Sequence, residues 1–204
     1  NEILLSSEQH RHLSGRLKER VAKAVRRLTE FDRISQFKPY AFEQSFGRGK
    51  SDLPPLVYML PDQVALEVAG QIDRLDMAEA EGKKYMLVID YKSGGAWIKV
   101  VDVYHGLKLQ LLTYLLAASR ALPDCVPAGV LYYFLKNPVH SAEGPMEPAD
   151  IEKEINKLLK MPGWVLADSQ VVRLVDGAID GYSEFLKIAL KKDGEFYSTC
   201  LSYV

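Results

Sequence analysis

A chain of 204 residues, 48% hydrophobic and 26% charged, has the size and balance of one sizeable folded domain, not of a disordered or fibrous segment. Its apolar runs all fall short of the ~20 residues that cross a bilayer. Its start, Asn1-Glu2-Ile3-Leu4-Leu5, lacks the basic flank and small-residue cleavage site of a secretory signal. A formal net charge of −1 offers no global attraction to nucleic acid and leaves only a local basic groove open.

The first residue is not Met, which suggests a piece cut from a longer protein. Its two cysteines, Cys125 and Cys200, form no metal-binding spacing and suggest reduced thiols in a cytoplasmic protein.

Residues 7–31 read as a helix with Ser7 as N-cap. Leu13, Leu17, Val21, Ala24, Val25 and Leu28 recur at helical spacing. Arg11, Arg16, Lys18, Glu19, Arg20, Lys23, Arg26 and Arg27 fill the other face, either as a solvated surface or as a contact for DNA phosphates. Aromatic alternation after Pro39 suggests a strand over 40–47. A polar loop to Pro55, a short apolar run over 56–60 and a turn at Pro61-Asp62 follow. Residues 64–77 alternate as one long strand that bends at Gly70. Residues 79–84 form a polar hairpin turn, and 85–91 are apolar enough for a central strand. Asp102 could cap a helix reaching Ala121, apolar nearly all round and therefore buried on the sheet. A strand over 128–135, an irregular stretch over 137–148, a helix over 151–160, an extra strand over 171–175 and a helix over 178–191 complete the reading. The expected fold is α/β, a mixed central sheet flanked by helices. It forms a single domain over 1–204, with a core of about 38–136 and helical additions at 1–37 and 148–204.

Two acidic blocks carry chemistry: Gly70-Gln71-Ile72-Asp73-Arg74-Leu75-Asp76, and Val88-Ile89-Asp90-Tyr91-Lys92-Ser93-Gly94-Gly95. On a strand, residues i and i+2 share a face, so Asp90 and Lys92 leave the sheet side by side before a Gly-Gly turn. Asp73 and Asp90 on neighbouring strands suit Mg²⁺ or Mn²⁺, hard cations that prefer oxygen ligands. Lys92 could orient a water or stabilise charge on a phosphate. The alternative is a pair of ordinary salt bridges, Asp73 with Arg74 and Asp90 with Lys92. Gln110 and Tyr114 are i, i+4 neighbours on one helical face, where a buried Gln110 amide would need partners. Glu43 could reach the site as a third acid or lie on the surface. His105 reads as structural. No P-loop, GxGxxG, HExxH, GxSxG or zinc spacing occurs.

The ordered set PYAFEQSFG, GQIDRLD, VIDYKSG and VYHGLKLQLLTY resembles the nuclease domains of AddB (RexB-type) proteins, the B subunits of bacterial helicase–nucleases. These belong to the PD-(D/E)xK superfamily and are similar to the RecB nuclease. The likeness runs from about His10 to Tyr133 and more weakly to the end. It implies a restriction-endonuclease-like core with Asp73 and Asp90 as metal carboxylates, the Tyr91 main-chain carbonyl as a further ligand and Lys92 as the catalytic lysine. It also implies Gln110 and Tyr114 along the DNA path, with Glu43 and Arg74 as supports. Further implications are Mg²⁺ (Mn²⁺ possible), cleavage of single-stranded DNA behind a helicase in double-strand-break processing, and a helicase–nuclease partner, the A subunit. An iron–sulfur cluster on four cysteines and a metal-site histidine near the domain start belong to the same family pattern. Here only Cys125 and Cys200 occur, and His10 and His12 do not clearly match the histidine motif. The functional expectation is thus a metal-dependent deoxyribonuclease. Its alternatives are a weakened nuclease-fold module for DNA guidance or subunit docking and, less favoured, a small-molecule phosphohydrolase.

Overall fold

A computed structural model describes residues 7–47, 49, 51, 53–136, 138, 144–191 and 193–195. Cys200, both chain ends and parts of the expected loops over 47–55 and 137–148 lie outside the described residues.

In chain order the elements are α1 (Glu8–Ile34), β1 (Lys38–Phe46), β2 (Leu56–Met59), β3 (Ala65–Val68), β4 (Gly70–Ala80) and β5 (Lys83–Lys92). Then come α2 (Val100–Tyr104), α3 (Gln110–Ala121), β6 (Cys125–Phe134), α4 (Pro148–Leu158), β7 (Gly163–Val165), α5 (Ser169–Val175), β8 (Gly181–Tyr182) and β9 (Ala189–Leu190). The central sheet has the order β1-β4-β5-β6-β7. Only the β5–β6 pair is parallel, which is why a helical crossover joins those two strands. β4 and β5 form a hairpin closed by Glu81 and Gly82, both at positive φ (51° and 73°), the conformation a two-residue type I′ turn requires.

Side chains alternate across β5 and β6 and bury both faces. Tyr85, Leu87, Ile89, Leu131 and Tyr133 pack with Phe31 of α1 and with Val171, Leu174 and Val175 of α5. Met86, Val88, Val130 and Tyr132 pack on the other side with Leu111, Ala117 and Ala118 of α3. Burial on both faces makes the strand near-continuously apolar until Asp90.

Several expectations are corrected. The single helix over 102–121 is two helices, because Gly106 and Lys108 adopt positive φ (73° and 53°). Asp102 caps neither of them; it lies in the first turn of α2 and pairs with Lys108 at 2.9 Å. The long strand over 64–77 divides at Ala69, and its first half pairs with β2 outside the central sheet. Residues 171–175 are helical, because the Asp168 carboxylate accepts the Gln170 and Val171 N–H groups and caps α5. Residues 178–191 are not a helix but a turn between β8 and β9. Ser183 Oγ accepts the Phe185 and Leu186 N–H groups there and donates to Asp176 at 2.6 Å. β7 joins the central sheet from beyond 38–136. Among the described residues α1 packs on the core from Ala24 onward: Phe31 is buried while Leu13, Leu17, Val21 and Val25 are exposed. Arg27, expected on the solvated face, is instead buried, donates to the Glu184 carbonyl at 2.8 Å and lies over the Phe185 ring.

Candidate active site

The site forms where β5 runs out. Met86 and Val88 face α3, and the same alternation sends Asp90 and Lys92 to that side. Asp90 is buried, 1% exposed, while Lys92 keeps access to solvent. On β4, Ile72 and Leu75 both belong to the α3-side core. Three residues apart, they cannot share a face by strict alternation, so alternation breaks once between them. The last paired residues of the β4–β5 ladder are Arg74 and Ile89. One step on, the Asp73 carboxylate replaces the backbone acceptor and takes the Tyr91 N–H at 2.9 Å. Asp73 thereby stands close enough to Asp90 to repel its charge.

Burial raises the Asp90 pKa above the ordinary carboxylate range; Asp73 adds to the rise and Lys92 opposes it. For Lys92, burial disfavours the ammonium, but Asp90 outweighs burial, with Tyr132 and Asp73 adding, and the net shift is upward. Lys92 Nζ lies 2.7 Å from Asp90 Oδ2, yet outside hydrogen-bonding angles. That buried oxygen has no hydrogen-bond partner among the described residues. Nζ does donate to Gln110 Oε1 at 2.9 Å, and Gln110 Nε2 donates to the Tyr114 hydroxyl at 2.8 Å. The Tyr114 ring stands edge-on to the buried Phe46. A polar chain thus runs from Asp90 through Lys92 and Gln110 to Tyr114 and is anchored in the core. Gln110 is exposed, not a buried amide.

Some expected members lie elsewhere. Arg74 follows Asp73 on the strand and points to the opposite face. There it is 1% exposed and forks onto Asp76 with two 2.7 Å bonds and onto Asp32 of α1 with a third. With its guanidinium buried in these bonds, it serves as a structural cation of the α1-side face. The Tyr91 ring is on that face too, edge-on to Tyr133, which leaves only its backbone to serve the site. Glu43, at positive φ, accepts Gln71 Nε2 at 2.7 Å through its carboxylate. It is absent from the charges acting on Asp90. His10 and His12 lie in the first turns of α1.

Two neighbours escaped sequence reading. Tyr132 is paired in register with Asp90 on β6, and its ring centroid lies 5.6 Å from Lys92 Nζ. Lys108 acts electrostatically on Tyr132 from the bend before α3. Neither carries a one-dimensional signal, since one depends on parallel strand register and the other on a left-handed backbone.

Asp90 Oδ2, buried without a hydrogen-bond partner, beside a second carboxylate is what a hard divalent cation would satisfy. Among the described residues no three His, Cys, Asp or Glu side chains gather to hold a metal. Two carboxylates and a carbonyl, completed by waters and substrate oxygens, fit Mg²⁺, which keeps much of its hydration. The residues of this chain do not by themselves supply the four cysteines of an iron–sulfur cluster: it has two, and Cys125 is sealed in the α3-side core.

The model of the PD-(D/E)XK nuclease superfamily matches residues 2–186. The chain belongs to that superfamily. Its members are generally dependent on divalent metals. Curated relatives named as the B subunit of an ATP-dependent helicase/deoxyribonuclease occur in Pelotomaculum thermopropionicum (42% identical, 96% of this chain and 17% of the relative) and in Desulforamulus reducens (43%, 97% and 18%). A further one is from Bacillus anthracis (42%, 96% and 17%). The chain therefore spans less than a fifth of the length of these relatives. Among the described residues no helix is long and apolar enough to cross a membrane.

Proposed function

We propose that this chain is the nuclease domain of the B subunit in a cytoplasmic helicase–nuclease. It hydrolyses phosphodiester bonds of unwound, single-stranded DNA in double-strand-break processing, beside the A subunit as its partner. The superfamily match supports the reaction class, and the relatives' names support DNA as substrate and a multi-subunit setting. The observation that carries the residue assignment is the buried Asp90 Oδ2, without a hydrogen-bond partner and opposite Asp73. We read residues 1–204 as a single domain.

In this reading Asp73, Asp90 and the Tyr91 carbonyl would hold Mg²⁺, with Mn²⁺ as substitute. Once bound, the ion supplies positive charge at the scissile phosphate and acidifies a coordinated water. Asp73 also holds the Tyr91 N–H and so fixes the backbone between the two site residues of β5. Lys92 stays an ammonium at neutral pH, because Asp90 raises its pKa. It is placed to donate a hydrogen bond and charge to a phosphate oxygen or water. Gln110 and Tyr114 hold that ammonium in place.

The test is cleavage of single-stranded DNA in Mg²⁺ by the full-length protein and by its Asp90→Ala and Lys92→Ala variants. Either variant cutting at the parent rate would remove the assignment. A second reading, a docking or DNA-guiding module with little cleavage, draws on the lack of a three-member ligand group among the described residues. Calorimetry separates the two: retained DNA binding with no heat from Mg²⁺ or Mn²⁺ supports the module.

A further inference from the structure

The segment joining Lys92 to Gln110 exposes aromatic side chains that the site does not use. Ile98 is buried in the α3-side core and Val103 packs against the same core. Asp102 ties the bend through Lys108 at 2.9 Å, and its carbonyl accepts the Leu107 N–H at 2.7 Å. The segment is therefore held in place, yet Tyr104 is 84% exposed and Trp97, next to the buried Ile98, is 49% exposed. A fixed backbone that displays large rings to water has no packing reason to do so. Cations interleave with the rings. Lys99 and Lys108 are exposed on the same segment, and Lys187 Nζ sits 3.5 Å from the Trp97 ring centroid. The acid on the segment, Asp102, is paired with Lys108, so the two cancel and Lys99 carries the segment's net positive charge. Lys108 holds a left-handed φ of 53°, a conformation that costs energy for a residue with a side chain and persists only where its surroundings impose it.

We propose that residues 96–109 form a single-strand-binding element, in which Trp97 and Tyr104 stack on bases and Lys99 meets a phosphate between them, while Lys108 stays engaged with Asp102 and holds the bend. Stacking on an exposed ring combined with backbone cations is the physical basis of sequence-tolerant single-strand binding. Both ends of the segment are fixed at the site, through Lys92 and Gln110, so a strand held there is delivered beside Asp90. Val101 and Leu107 are exposed as well, and a protein surface could cover them. Lys99 on the segment and Lys187 over the Trp97 ring favour a polyanion. The inference rests on the nuclease reading for its substrate and deepens it by naming where the bases lie.

The experiment is ultraviolet crosslinking of oligothymidylate to the full-length protein in EDTA, with adducts located by mass spectrometry. We expect labelled peptides from 96–109 and no label there from a blunt duplex. Tyr104→Ser, at a position too exposed to unfold the chain, and Trp97→Ala should each lower that yield about fivefold or more, with Tyr104→Phe restoring it. An unlabelled segment, or Tyr104→Ser and Trp97→Ala labelled as strongly as the parent, overturns the proposal. So does a result in which both variants bind the strand normally and lose a protein partner instead. Cleavage by Asp90→Ala is scored in parallel. If it persists, the nuclease assignment fails while the platform stands; if it vanishes while the segment stays unlabelled, the platform alone fails.

Discussion

Arg74→Ala should cripple folding rather than DNA contact. The guanidinium and the Asp76 carboxylate are 1% and 0% exposed and share two 2.7 Å bonds in a fork. Deleting the arginine leaves Asp76 buried without its hydrogen-bonded cation and with only the weaker pull of Lys38, a loss of roughly 3–5 kcal/mol for a buried pair broken on one side. Against a total stability of roughly 5–15 kcal/mol, that is roughly a fifth or more of the fold's margin. It corresponds to a fall in Tm of roughly 6–20 °C for a domain of this size. Asp32→Ala removes a partner that is 33% exposed and should cost about 1 kcal/mol or less. Arg74→Met combined with Asp76→Leu removes both buried charges and should recover most of the loss. Burial raises the Asp76 pKa and Arg74 opposes the rise. Without Arg74 the ionised form is disfavoured further, so the Arg74→Ala deficit is largest at neutral pH and shrinks as acid protonates Asp76. Urea unfolding followed by circular dichroism across that range gives the numbers. An Arg74→Ala variant within about 0.5 kcal/mol of the parent, the range of an ordinary surface change, with weakened DNA binding would refute the buried-cation reading.

Asp90→Asn should stabilise the chain at neutral pH in EDTA. A folded pKa raised by burial means that ionised Asp90 costs stability above that pKa, and the cost fades as pH falls toward the ordinary value of 3.8. The same variant should lose the rise in melting temperature that Mg²⁺ gives the parent; an Asp90→Asn chain less stable than the parent in EDTA contradicts this. Gly70→Ala places a Cβ 2.8 and 2.9 Å from two atoms of the fully buried Phe46 ring and 3.4 Å from Tyr114. Overpacking of this kind costs roughly 1–3 kcal/mol, and an unchanged melting curve would mean that the ring steps aside freely. Gln110→Ala deletes the 2.9 Å bond that holds Lys92 without opening the core, since Gln110 is exposed. A bond worth about 0.5–1.5 kcal/mol predicts a fall in cleavage rate of roughly two- to tenfold with unchanged melting. A full-rate variant would show that Asp90 alone positions the lysine.

What could be read from one dimension, and what could not, follows from the range of the physics. The apolar run ending in Asp90 and Lys92 and the Glu81-Gly82 turn are local signals, and β5 and its hairpin form where those signals lie. Proximity in sequence suggests Arg74 as a partner of Asp73, but adjacent strand residues face opposite ways, and Arg74 bonds Asp76 and Asp32 on the other face. The Val-rich stretch over 171–175 favours strand by propensity. One capping carboxylate, Asp168, and burial against the sheet decide for helix. The break between α2 and α3 depends on a positive φ at Lys108, which no residue preference announces. Tyr132 meets Lys92 only through the register of a parallel pair joined across two helices.

The two faces of the sheet treat buried charge in opposite ways, and Tyr91 lies between them. On the α1 side, the forked bonds of Arg74 satisfy Asp76 completely. On the α3 side, a carboxylate equally cut off from water keeps one oxygen without a hydrogen bond. Burial disfavours ionisation of both acids, and the difference lies in geometry: Arg74 forks onto Asp76 with two hydrogen bonds, while Lys92 meets Asp90 as an ion pair at 2.7 Å outside hydrogen-bonding angles. The Tyr91 ring is held near Arg74, while its N–H is held by Asp73. The complete cluster therefore fixes the strand from which the incomplete one projects. A buried charge left partly unsatisfied costs stability, and it can persist here because the neighbouring face supplies rigidity without using the same residues. Loosening that clamp through Arg74 should then degrade cleavage only as the fold itself loosens. Removing Asp90 should abolish cleavage while the fold gains stability.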